Sequence, residues 1–334
     1  MELIHIDSSM RELRFIDSFT KFDAAISLSG DIDDNSWMIS MPVECYSAFP
    51  IAMGDYVCIE DSEWGGLAEK VHHNSSNRMV EVSGICWRGL LLRGVIRPND
   101  GETHLKVTAS DGNDAIRLLL GNKMSGIFSV SEESCPIEYS YSFRYATLLG
   151  GITDSLEKFG CRLAIEFSGG RVMLKAEPIA DYSDKFEFSG DMDGGMVSEV
   201  GCMGGCNHIL ALGSGEMENR QIVELWKLPD GSITDDPNAD GIPSESELRS
   251  YLYDYSAVES LDELKSYARR KLKEYSRDSY LEFTLEDGVS EMNLGDTVGA
   301  KDKITGLEQK LRVSEKILTI DSGGIRLKHS MEAI

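Results

Sequence analysis

Residues 53–57 read MGDYV and residues 294–298 read LGDTV. Each is an apolar residue, a Gly-Asp pair, one further residue and a valine, leading into a stretch that reads as strand. Glycine at such a point supplies positive-φ freedom, and aspartate supplies a side-chain cap for the turn. After the first copy come a turn at Gly65-Gly66 and then Glu69-Lys70-Val71. After the second come a turn at Gly306 and then Glu315-Lys316-Ile317. A true repeat would place similar β units at both ends of the chain, with other structure inserted between them. Chance is the competing explanation, because a Gly-Asp pair before a strand is common and the pattern is short.

Around the first copy, WMISMPV (Trp37 to Val43), DYVCIE (Asp55 to Glu60), MVEVSGIC (Met79 to Cys86) and HLKVTAS (His104 to Ser110) are β-branched and partly alternating. Turn residues at Asp33-Asp34-Asn35, Trp64-Gly65-Gly66 and Pro98-Asn99-Asp100-Gly101 separate them. This pattern predicts a β-barrel-like domain over residues 1–108. From 109 to 180 the pattern changes. Asp111 or Asn113 caps a short helix containing Ala115, Ile116, Leu119 and Leu120, and Gly121 ends it. A second helix runs near Tyr145 to Phe159, with Leu149, Ile152, Leu156 and Phe159 at helical spacing and Gly160 as its stop. CRLAIEF and RVMLKAE then form a hairpin about Ser168-Gly169-Gly170, completing a small α+β module.

Residues 181–334 return to β. FEFSG, MVSEVGC and HILALGSG come first, and YLEFTLE, DTVGAK, EKILTI and IRLKHS close the chain. Between them lie a polar, acidic loop over 228–247 and a helix over 258–275. Ser260 to Glu263 opens that helix as a capping box. Leu261, Leu264, Ala268, Leu272 and Tyr275 share one face, and Arg269, Arg270, Lys271 and Lys273 suit the negative end of the helix dipole. The fold class is mainly β with an α+β insertion: two barrel-like domains flanking a small module.

Composition narrows the function. The chain has 334 residues, 41% of them hydrophobic, enough for a packed core in about two domains. Its formal net charge is -24. Residues 181–256 carry 16 Asp and Glu against 4 Lys and Arg, so that segment holds half of the excess. A nucleic-acid grip needs clustered cations to neutralise phosphates, and this chain has no such cluster. Met1 to Phe15 is charged throughout, so no signal peptide is expected. No apolar run approaches the roughly 18 residues of a membrane helix. Seven scattered cysteines without a secretory signal are expected to be reduced.

The sharpest local motif is Asp236-Pro237-Asn238-Ala239-Asp240-Gly241, followed by five residues and Glu247. It fits the calcium-loop pattern. Asp236, Asn238 and Asp240 would offer oxygens at alternate positions, Ile242 its backbone carbonyl and Glu247 a bidentate carboxylate, so Ca2+ is the cofactor the motif predicts. Pro229, Gly231 and Pro243 rule out a full helix–loop–helix setting. An acidic solvated loop is the plain alternative. Cys202, Cys206 and His208 lie close in sequence, but the C-x3-C spacing and the lack of a fourth ligand favour inert cysteines over zinc. The glycines at 201–205 and 213–215 lack the order of a phosphate loop. His72 and His73 are neighbours in a strand and face opposite ways. Neither G-x-S-x-G nor H-E-x-x-H occurs, and among the 57 acids no carboxylate pair for glycoside hydrolysis is singled out.

Four stretches carry a family resemblance: SGICWRGLLLRGVI (Ser83 to Ile96), EVGCMGGCNHILALGSGE (Glu199 to Glu216), YDYSAVESLDELKSYARRKLKE (Tyr253 to Glu274) and LGDTVGAKDKITG (Leu294 to Gly306). In this order the chain resembles the tail hub, or baseplate hub, proteins of long-tailed phages and prophages. The resemblance implies a homotrimeric ring in which each subunit gives two tube domains, so that three chains imitate sixfold symmetry. It implies tail-tube and tail-tip proteins as partners, DNA passing through without specific binding, and a virion tail assembled in the bacterial cytoplasm. The acidic excess would suit the lumen of such a ring. Many hub proteins carry an appended lysozyme or peptidase domain; here such activity is expected from another chain. Two other classes stay open: a tail-associated cell-wall or glycan hydrolase, and a calcium-dependent glycan-binding module.

Overall fold

The computed structural model describes residues 2–28, 30–184, 187–189, 194–200, 205–215, 219–256, 258, 260–276, 279–285 and 292–333. Alternation in the sequence sets the strands. In Ser36–Pro42, Trp37, Ile39 and Met41 are buried while the residues between them are only half-buried. Phe22, Ala24 and Ile26 do the same in Lys21–Ser27. Period-two burial is what a sheet with one face on a core requires. The expected strands near 55–60 and 104–110 are Tyr56–Ile59 and Leu105–Asp111. Among the described residues thirteen strands join one sheet, so the fold is mainly β, as the sequence predicts.

The Gly-Asp echo is a structural repeat. Gly54 has φ +94° and Gly295 has φ +90°, a conformation that L side chains rarely adopt. The Gly54 amide donates to Ala68 O and the Gly295 amide to Val313 O, both at 2.9 Å. The Ala68 amide returns a bond to Asp55 O at 2.8 Å, and the Val313 amide returns one to Asp296 O at 2.9 Å. Each aspartate then caps its own turn: Asp55 Oδ2 accepts the Ala52 amide at 3.0 Å, and Asp296 Oδ2 accepts the Asn293 amide at 2.9 Å. The strands that follow repeat too. Tyr56–Ile59 pairs with Gly65–Asn74, which pairs with Met79–Cys86, which pairs with Ser36–Pro42. Thr297–Lys301 pairs with Glu308–Asp321, which pairs with Gly324–Ala333, which pairs with Ser279–Leu285.

A β-bulge also falls at the same place in both copies. The ladder skips a residue between Ala68 and Lys70, and again between Val313 and Glu315. This sets Lys70 opposite Glu315 in the comparison and Val71 opposite Lys316. The Glu-Lys halves of the sequence echo are therefore out of step by one residue. Lys70 is exposed and Lys316 is buried, but Val71, the counterpart of Lys316, is exposed as well, so the two copies differ here in how deeply the strand is covered.

The chain forms two compact units: residues 1–196, 282–301 and 308–334 in the first, and 197–281 with 302–307 in the second. This differs from the three segments 1–108, 109–180 and 181–334 read from the sequence. Two contacts within the first unit explain the difference. Strand Glu308–Asp321 pairs along Lys21–Ser27, so both β repeats are joined in one continuous sheet. Trp87, with no exposed surface, stacks on Tyr56 at 5.3 Å and on Phe167 at 5.9 Å, so the α+β module shares the core of the first repeat.

That module otherwise follows its caps. Helix Gly112–Leu120 starts where the Asp111 carboxylate accepts the Asn113 amide at 2.8 Å, and it stops at Gly121. Helix Leu148–Glu157 starts at Thr147, and strands Cys161–Ser168 and Arg171–Pro178 form the hairpin. In the second unit, helix Leu261–Tyr275 starts at Ser260, whose hydroxyl accepts the Glu263 amide at 3.4 Å. Leu264, Ala268 and Leu272 pack with Ile209, Ala211, Val223 and Leu225 of the adjoining four-stranded sheet. The loop expected over 228–247 contains a two-residue strand, Ile233–Thr234, paired with Trp226 and Lys227. Among the described residues no helix is long and apolar enough to cross a membrane.

Candidate functional site

The first unit holds a polar cavity of about 410 Å³. Short helix Trp87–Leu90 brings Arg88 into it, strand Cys161–Ser168 brings Arg162, and strand Glu308–Asp321 brings Lys316. Arg88 is 1% exposed and holds Glu63 with two bonds, Nε to Oε1 at 2.6 Å and Nη2 to Oε2 at 3.1 Å. Its Nη2 also donates to Leu163 O at 3.0 Å. Arg162 donates to Glu177 at 2.5 Å, and its Nε lies 3.4 Å from the buried Asp296 carboxylate. Lys316 Nζ donates to Met292 O at 2.8 Å, and burial holds its pKa below the usual lysine value. A bidentate guanidinium–carboxylate pair with low exposure is a rigid tie. This network fastens the repeats to the inserted hairpin, and its carboxylates are taken up by cations and backbone amides.

In the second unit the predicted calcium ligands sit along the 236–247 loop without converging. Asp236 Oδ1 accepts the Asn238 amide at 2.9 Å. Gly241 has the positive φ the pattern requires, +89°. Glu247 turns to Ser244, accepting its amide at 3.0 Å and its hydroxyl at 2.6 Å, and these bonds hold its carboxyl below the usual range. Ile242 and Glu247 line a cavity of about 580 Å³ together with Lys227 and Arg249, whose side chains donate to Ser276 O and Gly205 O. Asp240 is exposed in the same loop. Among the described residues, no group of three or more His, Cys, Asp or Glu side chains is placed to hold a metal.

His208 belongs to a network that its neighbours in sequence do not reveal. Its Nδ1 is 2.7 Å from Ser250 Oγ and its Nε2 is 2.9 Å from Glu224 Oε1. The ring stacks on Trp226 at 5.4 Å. Strand His208–Leu212 lies between Ile222–Lys227 and Ser250–Asp254, so these are cross-strand contacts on one sheet face. Both ring nitrogens are engaged, which takes His208 away from the zinc reading. Cys206 is a half-buried free thiol, and Cys202 lies outside the described residues. A Ser–His–Glu contact set also has the spacing of a nucleophile, base and orienting acid. Its partners are 16 and 42 residues from His208, so sequence spacing carries no sign of it. His72 and His73 are both exposed in strand Gly65–Asn74.

No protein-family model matches the chain, and no curated protein matches it. Solved structures do. A tail protein from Neisseria meningitidis MC58 matches with TM-score 0.54 at 13% identity, over 99% of this chain and 96% of its own. The 43 kDa tail protein of prophage MuSo2 from Shewanella oneidensis matches with TM-score 0.58 at 12% identity, over 99% and 98%. The chain has the fold of phage and prophage tail proteins. Prophage tail protein gp18 from Listeria monocytogenes EGD-e adds a third instance, with TM-score 0.56 at 11% identity over 99% and 94%. At such identities the likeness rests on backbone path, and it spans this tail-protein fold from end to end.

Proposed function

We propose that the chain is a structural subunit of a phage or prophage tail, at the hub that joins tail tube to tail tip. The observation that carries this reading is the full-length agreement with the tail-protein fold. The finer picture is a ring of three chains. Two β repeats in one polypeptide give three chains six similar units, enough to meet a sixfold tube on one side and a threefold tip on the other. Tail-tube and tail-tip proteins are the partners, and the virion tail, assembled in the bacterial cytoplasm, is the location. A net charge of -24 suits a ring through which DNA slides without being held.

Mass photometry over rising concentration tests the ring. The expected result is a species of three times the 37.0 kDa chain. A closed dimer or tetramer contradicts it, and a monomer throughout removes the ring while leaving the tail subunit. Turnover of peptidoglycan or ester substrates, lost in Ser250→Ala, would replace the structural role with a hydrolase. Calcium at residues 236–247 is a separate proposal, since it requires Glu247 to leave Ser244 for the ion. It predicts a higher melting temperature with added calcium, about 2.7 kcal/mol of stabilisation at a hundredfold excess over Kd, absent in Asp240→Ala. An unchanged melting temperature in the unmutated chain ends it.

A further inference from the structure

Strand Glu12–Ile16 ends the large sheet. Among the described residues it pairs with Leu3–Ile6 alone, so its outer edge offers backbone donors and acceptors to solvent. The edge contains no proline, and Leu13 and Phe15 are each 53% exposed; Glu12, Arg14 and a β-bulge at Leu13 are its protections against indiscriminate pairing. Beside it lies a groove of about 360 Å³ lined by Ile4, Ile6, Phe15 and Phe167. Glu2, Glu12 and Glu60 line the same groove. Each is exposed, and none has a cationic partner among the described residues. Nearby cations are committed elsewhere. Arg11 holds Asp7 at 2.6 Å, while Arg14 donates to Phe49 O at 2.7 Å and covers its ring. The acidic field reaches inward: Cys58 is pushed far up, by burial first and then by Glu60 and Glu12.

An apolar floor, an unneutralised acidic border and a free strand edge together specify an occupant. A second copy of this chain, at net charge -24, brings like charge to the border. We propose that the groove and the Glu12–Ile16 edge bind an extended segment of a different protein in which apolar residues alternate with Lys or Arg. The segment adds one more strand. Backbone bonds give affinity, apolar side chains fill the groove, and Lys or Arg stems lie on its walls with their charges at the glutamates.

Fluorescence anisotropy with the full chain and a labelled Val/Lys alternating heptapeptide tests this. The Val/Lys peptide is expected to bind, and to weaken about tenfold between about 50 and about 300 mM NaCl. A Val/Glu peptide, and a Val/Lys peptide N-methylated at alternate amides, are expected to bind at least about tenfold more weakly. Phe15→Ser and the Glu12→Gln, Glu60→Gln double variant are expected to lose binding to a similar degree. These side chains are exposed, so circular dichroism and melting temperature stay those of the unmutated chain. Absence of Val/Lys binding overturns the proposal. So does equal binding of the Val/Glu peptide, or binding indifferent to both variants. If Phe15→Ser instead dissolves a self-assembled form, the occupant is a second copy and the proposal also fails.

Discussion

His329 has no exposed surface and lies directly across a strand pair from Lys316. Burial first, and the Lys316 charge second, push its pKa down to about 4. The unfolded chain takes up this proton near pH 6.5, the folded chain only near 4. Stability from this group is therefore complete above about pH 6.5, declines as pH falls through that value, and levels off below about 4, a loss of up to about 3 kcal/mol. His329→Met should flatten the urea midpoint between those pH values relative to the unmutated chain; an identical acid slope would assign the loss to other groups. Single residues of this kind were not legible in the sequence. Nothing near His329 in the chain marks it as buried, since its charged neighbour is thirteen positions away around a hairpin. The same holds for Arg88 with Glu63 and for His208 with Ser250.

At the scale of elements, legibility followed the range of the interactions. The two Gly-Asp turns were readable because each is closed by bonds within four residues, and the helices at 112–120 and 261–275 because their caps are local. The Glu-Lys register differs by one step from the sequence pattern because a bulge depends on the partner strand. The repeated turns make a quantitative comparison possible. Asp296 is 1% exposed, and besides its own turn it accepts the Ala180 amide at 3.0 Å and faces Arg162. Asp55 caps its turn and meets His5 Nε2 at 2.8 Å, but is more open to solvent. Asp296→Ala should cost about 2–4 kcal/mol and Asp55→Ala about 1–2 kcal/mol by chemical denaturation. Equal losses would mean that the wider contacts of Asp296 contribute nothing.

For the whole molecule, the fold class and the full-length tail-protein likeness agree with the sequence reading, whereas the domain boundaries do not. The sequence pattern changes near residue 108, yet Trp87 draws its stacking partners from both sides of it. The cysteines report on the same shared core. Cys58, Cys86, Cys135 and Cys161 are buried, and burial raises the Cys161 thiol to about 12 and those of Cys58 and Cys86 further. Thiolate is the reactive form, so alkylation of the native protein at pH 8 should label Cys45 and Cys206 and spare these four until denaturant is added. Early labelling of Cys161 or Cys135 would show that the inserted hairpin opens independently.

Pairing of Lys21–Ser27 with Glu308–Asp321 has a consequence for synthesis. Thr319 and Asp23, joined by a 2.7 Å bond, are 296 residues apart. At typical elongation rates of about 5–20 residues per second, the early strand waits on the order of 15–60 s for this neighbour to leave the ribosome. Through that interval the nascent chain carries an open edge, and a chain that stops before Glu308 would leave it open permanently.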